Sequence, residues 1–152
     1  MTAIAIRPER DGDAPAIFAL TEAAFREMPH ADGDEQQLVD RLRADGDLAL
    51  SLVAEDATRI VGHVAFSPVS ISDGNEGWFG LGPVSVAPEL QRQGIGSALI
   101  KRGIADQRES GGRGIVLIGD PAYYARFGFR SDPGLAAGDV PRVNVMGLSF
   151  TG

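Results

Sequence analysis

The sequence predicts a mixed α/β fold: a splayed, mostly antiparallel sheet flanked by helices. Three observations predict it. First, two β-rich runs, Leu48–Glu55 and Arg59–Ile71, are joined by the tight polar turn Asp56-Ala57-Thr58 and read as an antiparallel hairpin. Second, Ile115–Ile118 is a run of β-branched and aliphatic residues that follows a long helical pattern. A strand reached by a helical crossover lies parallel to its neighbour and is buried. Third, the extended apolar run Leu81 to Val86 breaks at Pro88-Glu89. It then passes through Gln91-Arg92-Gln93-Gly94-Ile95-Gly96 into a helix that opens near Ser97.

The elements follow in order. Ala3–Arg7 reads as a short strand. Asp13 is placed to cap a helix in which Ile17, Leu20, Ala24 and Phe25 recur at helical spacing. Met28 to Gly33 is a loop. Leu38, Val39 and Leu42 mark a second helix, opened by Glu35 and stopped before Gly46. After the hairpin and the polar loop Ser72–Gly77, Trp78–Val86 is a third strand. Gly94–Ser110 is the long helix, with Ile95, Leu99 and Ile104 on one face and Gly111-Gly112 at its end. Pro121–Phe127 is a short helix with Asp120 at the N-cap and Pro121 at N1, where proline costs least. Asn144–Phe150 is the last strand. The chain shows no repeat, linker or low-complexity segment and reads as one domain over 1–152.

Composition narrows the function classes. The 152 residues include no cysteine, which excludes disulfides, Cys metal sites and a Cys nucleophile. No apolar run reaches membrane-spanning length and Met1-Thr2-Ala3-Ile4-Ala5-Ile6-Arg7 does not read as a signal peptide, so the expectation is a cytoplasmic protein without a membrane partner. A net charge of −7 argues against nucleic acid. The acidity is uneven. Residues 1–56 carry eight Asp and five Glu against five Arg, a balance of −8. An acidic N-terminal third reads either as solubilising helix surface or as one side of a cleft that attracts a cation. Two distant histidines, His30 and His63, make no metal site. The only lysine, Lys101, lies outside any P-loop pattern, and no G-x-S-x-G elbow exists.

The turn at 91–96 carries the chemistry. A strand that ends in a glycine turn and feeds a helix aims several backbone N–H groups at one point, and the helix dipole adds positive charge there. Glycines let the backbone approach an anion without a Cβ in the way. The turn therefore suits a phosphate or pyrophosphate.

Four segments together resemble the GNAT superfamily of acyl-CoA-dependent N-acyltransferases, in particular its bacterial YhbS-like branch. They are Gly62-His63-Val64; Leu81-Gly82-Pro83-Val84-Ser85-Val86-Ala87-Pro88; Gln91 through Ile100, with its Q-x-x-G-x-G; and Gly119 through Phe129, with its Y-x-x-F-G-F. The resemblance implies acetyl transfer from acetyl-CoA to a primary amine of a small molecule or protein by direct attack, without a metal. It implies that Gln91, Arg92, Gln93, Gly94, Ile95, Gly96 and Ser97 surround the pyrophosphate, with Arg126 adding charge. It implies that the backbone of Val84, Ser85 and Val86 pairs with the pantetheine arm, as a peptide adds to a sheet edge. Pro83 has no N–H, so that pairing starts at Val84.

By the same resemblance Tyr124 is the general acid, protonating the thiolate as it leaves. Tyr123 points about 100° away on a helix and packs instead. Many relatives carry a carboxylate on the strand before the phosphate turn, but here Trp78 through Ala87 holds no acid or histidine. Glu35 is the candidate base, or else a first-turn carboxylate that favours the helix dipole; His30 lies in the loop between the first two helices, and a water chain to solvent would also suffice. His63 reads rather as a hydrogen-bonded core histidine. That departure motivates an alternative, a vestigial acyl-CoA-binding module acting as a sensor. Relatives also continue past the last strand, whereas this chain ends at Gly152. The final edge is then either shorter or completed by a second copy in a homodimer.

Overall fold

The structure is a computed structural model and describes residues 4–26, 35–57, 59–70, 76–131, 141 and 144–150. Among the described residues there are seven strands, β1 (Ala5–Pro8), β2 (Leu50–Glu55), β3 (Ile60–Pro68), β4 (Trp78–Val86), β5 (Gly114–Ile118), β6 (Arg130–Ser131) and β7 (Val145–Ser149). The helices are α1 (Ala14–Phe25), α2 (Glu35–Ala44), α3 (Ile95–Glu109) and the single turn α4 (Pro121–Tyr124). The fold class is the predicted one, mixed α/β with a mostly antiparallel sheet. Contacts divide the chain into two units, Met1–Ser67 with Gly82–Gly103 and Pro68–Leu81 with Ile104–Gly152. Both β4 and α3 contribute to each.

In the first unit β1, β2 and β3 form an antiparallel ladder, with Ile6 opposite Ala54 and Val53 opposite His63. The ladder shifts register between Ala54 and Glu55. The second half of β4 joins β3 through Ala87 N–H to Val61 O, 2.8 Å. One face of this sheet carries Val53, which clusters with Ile17 of α1 and Val39 of α2. The other face receives α3. Gly62 lets Ile95 and Leu99 approach, since a Cβ there would lie 2.9 Å from Ile95 Cγ2.

In the second unit the first half of β4 runs parallel to β5, as predicted for a crossover strand. That ladder is short, Trp78–Gly80 on Gly114–Val116. The antiparallel ladder of β5 with β7 runs on to Ile118. Arg130 and Ser131 add a two-residue strand on β7 that the sequence reading lacks. Gly114 accommodates the Trp78 ring, so that aromatic packs on its own sheet.

Several expectations shift. The first strand runs to Pro8, and Met1 to Ala3 lie outside the described residues, as do the loop 28–33 with His30, and Thr58. The hairpin strands are shorter than predicted, starting at Leu50 and ending at Pro68. Asp13 holds the N-cap position, but its side chain makes no cap bond. Its carboxylate instead takes Arg7 Nη1 at 2.8 Å and the Arg10 N–H at 2.8 Å. Two apolar positions assigned to the interior are exposed. Leu38 is 39% exposed, while Gln36 and Val39 face inward. Ile118 is 59% exposed at the end of its strand. The long helix ends a residue early, and 121–127 is one α-turn continued as a 3-10 turn, Ala125–Phe127. Asp120 does cap α4, accepting from Ala122 N–H at 2.9 Å.

Candidate functional site

The strand-to-helix turn lies within the first unit. After β4 the chain makes a 3-10 turn at Pro88–Leu90, and Gln91 returns to extended backbone. Gln91 Nε2 then donates to Val86 O at 3.1 Å, tying the turn to the end of the strand. Arg59 pairs with Glu89 and braces the other side. Arg92 is left-handed, φ 64°, and Gly94 is left-handed, φ 89°. A non-glycine residue pays for that conformation, so Arg92 is held there by its surroundings.

The first hydrogen bond of α3 is Ala98 N–H to Gly94 O. The N–H groups of Ile95, Gly96 and Ser97 therefore precede it and have no acceptor inside the helix. A Cβ built on Gly94 meets nothing within 4 Å. Residues 91–94 are exposed. Left-handed kinks, unpaired leading N–H groups and open space over a glycine are what an anion cradle needs. The residues fit a pyrophosphate.

Val84 and Val86 of β4 are half-buried, and Ser85 between them is buried. Arg126 and Tyr124 belong to the second unit. Arg126 donates from Nε to Tyr123 O at 2.9 Å, and its guanidinium lies 4.5 Å from the Tyr123 ring centroid. Tyr123 therefore packs, as its helical direction predicts. Tyr124 meets Tyr123 edge-on at 4.9 Å and Phe129 at 6.1 Å, and its ring fills the space over Gly119. Burial, helped by Tyr123, pushes the Tyr124 hydroxyl above the ordinary tyrosine value. It stays protonated at neutral pH, as a proton donor must. Glu35 is the half-buried first residue of α2, in the first unit.

One polar group is absent from the sequence-based site. His63 is fully buried, and its Nε2 lies 2.8 Å from Ser51 Oγ. Ser51 Oγ donates to Glu9 Oε1 at 2.8 Å. Glu9 in turn holds Arg43, whose Nη2 lies 2.7 Å from Glu9 Oε1. Burial alone would raise the Glu9 carboxyl, but bonds from Arg43 and Ser51 outweigh it and hold it below the ordinary carboxylate value. Burial pushes His63 down to about 4, with Arg43 adding to the effect against the pull of Glu9. Its imidazole is neutral at pH 7. Glu9, Arg43 and Ser51 line an open pocket of about 360 Å³ with Gly46 and Leu48–Leu50. The members lie 12 to 42 residues apart along the His63–Ser51–Glu9 chain, so no local signal could reveal it. Among the described residues no group of three or more His, Cys, Asp or Glu could hold a metal, and no helix is long and apolar enough to cross a membrane.

Comparison with known proteins gives the family and the fold. Residues 5–131 match the family model described as an acetyltransferase (GNAT) domain. The uncharacterized N-acetyltransferase YhbS of Escherichia coli K12 is 40% identical over 125 residues, 82% of this chain and 72% of YhbS. A GNAT family acetyltransferase from Brucella melitensis, solved in complex with acetyl-CoA, superposes with a TM-score of 0.87 at 46% identity. That match covers 97% of this chain and 88% of the Brucella chain. The E. coli YhbS structure, solved in complex with CoA, gives a TM-score of 0.89 at 33% identity over 98% of this chain and 82% of its own. The chain belongs to the GNAT family of acetyltransferases.

Proposed function

We propose that this acetyltransferase uses acetyl-CoA as cosubstrate and acetylates a primary amine by direct attack. The observation that carries the reading is the turn at 91–96, with left-handed Arg92 and Gly94 ahead of the first α3 bond. Its N–H groups, from Arg92 to Ser97, would hold the pyrophosphate. The backbone of Val84–Val86 would orient the pantetheine arm. Acetyl-CoA would supply an activated acetyl thioester. Tyr124 would donate its phenolic proton to the leaving sulfur, and its raised pKa keeps that proton in place at neutral pH. Glu35 would face the acceptor. The Brucella relative in complex with acetyl-CoA supports the cosubstrate.

The acidic N-terminal third favours a cationic acceptor, which must shed a proton before attack. No Cys exists to carry an acyl-enzyme. Calorimetric titration with acetyl-CoA tests the reading, with ATP and NADH as controls. Micromolar binding to acetyl-CoA alone, lost when Gly94 is made bulky, followed by transfer to a member of an amine panel, supports it. Failure to bind any acyl-CoA overturns it. Binding without transfer to any amine leaves the sensor module instead.

A further inference from the structure

The structure contains two buried polar atoms that lack a hydrogen-bond partner among the described residues, His63 Nδ1 and Ser85 Oγ. They lie on neighbouring strands of the first unit. Ala87 N–H bonds Val61 O, and further along Val69 N–H bonds Trp78 O, so the chain direction reverses from β3 to β4. Counting two residues from the nearer, Ala87–Val61 bond along each strand puts Ser85 opposite His63; the Val69–Trp78 bond lies one residue out of that register, so the pairing shifts between the two bonds. Residues opposite each other in an antiparallel pair hold their Cβ atoms about 4.5–5.5 Å apart on one face. The two atoms do not bond each other directly, and one water between them would satisfy both.

The proton positions follow from the inventory of donors. Ser51 has one hydroxyl proton and gives it to Glu9 Oε1. It can then only accept from His63, so Nε2 carries the imidazole proton and Nδ1 presents a lone pair. A single bridging water would connect that lone pair with the Ser85 hydroxyl. The result is one polar line across β2, β3 and β4, starting at the open pocket beside Glu9 and ending between Val84 and Val86.

We propose that Ser85, His63, Ser51 and Glu9 form a proton path that carries the proton released on acetyl transfer from β4 to solvent at the Glu9 pocket. The proposal rests on the acetyl-transfer reading, and it supplies what that reading lacks on β4, an acid or histidine to take the amine's proton. Each step balances. Ser85 Oγ accepts a proton at the amine end and passes its own to the bridging water, which gives one of its protons to His63 Nδ1. The Nε2 proton moves to Ser51 Oγ, whose own proton moves to Glu9 Oε1. Glu9 is neutralised and returns the proton to water in the pocket. His63 changes tautomer without holding charge, as a histidine pushed down to about 4 should. The ring and hydroxyls then turn back for the next cycle. The charged groups acting on His63 are Glu9 and Arg43, and Glu9 stays ionised at neutral pH, ready to accept.

Long-range ¹H–¹⁵N spectra of the full chain, with and without acetyl-CoA, read His63 directly. The expected result is a neutral Nε2–H ring from about pH 6 to about pH 8, with an Nδ1 resonance that moves in Ser85→Ala. A charged ring, the Nδ1–H tautomer or an Nδ1 resonance indifferent to Ser85→Ala overturns the path. With an accepted amine, Ser51→Ala and Glu9→Gln should lower kcat about tenfold to a hundredfold while acetyl-CoA affinity holds. Formate should restore part of the rate to Glu9→Ala through the open pocket, which a merely structural role would not predict. A kcat within about twofold of wild type in both Ser51→Ala and Glu9→Gln overturns the path. Intact spectra in a protein that binds acetyl-CoA but acetylates no amine would remove the released proton and the path's role with it. In that outcome the acetyl-transfer reading is what has failed.

Discussion

Gly103 of α3 lies so close to Phe66 of β3 that a Cβ on the glycine would overlap the ring at Cε1 and Cζ. Phe66 is fully buried. The same approach is prepared from the strand side by Gly62 under Ile95 and Leu99. Since α3 begins at the candidate phosphate turn, these two glycines set how that turn sits on its sheet. Alanine is the better helix former by about 1 kcal/mol, yet the ring contact should dominate. Gly103→Ala is expected to lower stability by about 1–3 kcal/mol through overpacking. Urea unfolding measures it. A neutral or stabilised variant would mean that the helix stands off the sheet.

Arg92 and Gly94 separate backbone from side chain in the phosphate turn. Gly94 has open space but a φ of 89°, so Gly94→Ala meets strain rather than a clash. A loss of about 1–2 kcal/mol in stability is expected, and acetyl-CoA binding should weaken at least about tenfold as the N–H groups lose their aim. Arg92→Gly should do the reverse for stability, gaining up to about 1 kcal/mol by relieving a left-handed non-glycine residue. If acetyl-CoA affinity holds in Arg92→Gly, the backbone carries the binding. A large fall in calorimetric affinity would assign it to the guanidinium instead.

The parts legible in the sequence were those with local causes. The β4 bounds, Trp78–Val86, coincide with the prediction because glycine and proline punctuate both ends. The Asp120–Pro121 helix start, the crossover strand and the packing of Tyr123 follow from neighbours in sequence. What escaped depends on distant partners. Asp13 looked like a capping residue, but Arg7 and the Arg10 N–H claim its carboxylate. Ile118 looked like core, but it is the last residue of its strand and is exposed. Arg92 carries a positive φ that only the bracing of Gln91 and Glu89 around it makes intelligible. His63 was read as a bonded core histidine, and its bond to Ser51 agrees. Glu9, Arg43 and the opposing Ser85 could not be joined to it from spacing alone.

Tyr124 yields a kinetic prediction. Removing its hydroxyl leaves the ring contacts with Phe129 and Gly119, so Tyr124→Phe should fold normally. If it is the acid, kcat falls about tenfold to a hundredfold with acetyl-CoA affinity unchanged. Burial raises its pKa above the ordinary value of about 10, so the rate should not decline on account of this residue below about pH 10. An alkaline limb near neutrality that vanished in Tyr124→Phe would contradict the burial seen here. An unchanged kcat would leave Tyr124 a packing residue.

Acid stability should depend on the Arg7 cluster. Arg7 bonds Asp13 Oδ2 at 2.8 Å and Glu55 Oε1 at 2.9 Å, joining the start of α1 to β1 and β2. Hydrogen bonds from Arg7 hold both carboxyls below their ordinary values. A carboxyl depressed in the folded state favours folding above its unfolded pKa, about 3.9 for Asp and about 4.3 for Glu, and that contribution is lost as pH falls through the folded value. The wild type should therefore lose stability from about pH 5 downward. Arg7→Met removes the partner but keeps most of the side-chain volume. It should cost about 1–3 kcal/mol at neutral pH through lost charged hydrogen bonds, with a shallower decline in acid. Urea midpoints at a series of pH values would show two curves converging toward low pH. Parallel curves would mean that Arg7 contributes packing, and that the acid sensitivity of this chain originates elsewhere, with the Glu9 and Arg43 pair as the next place to look.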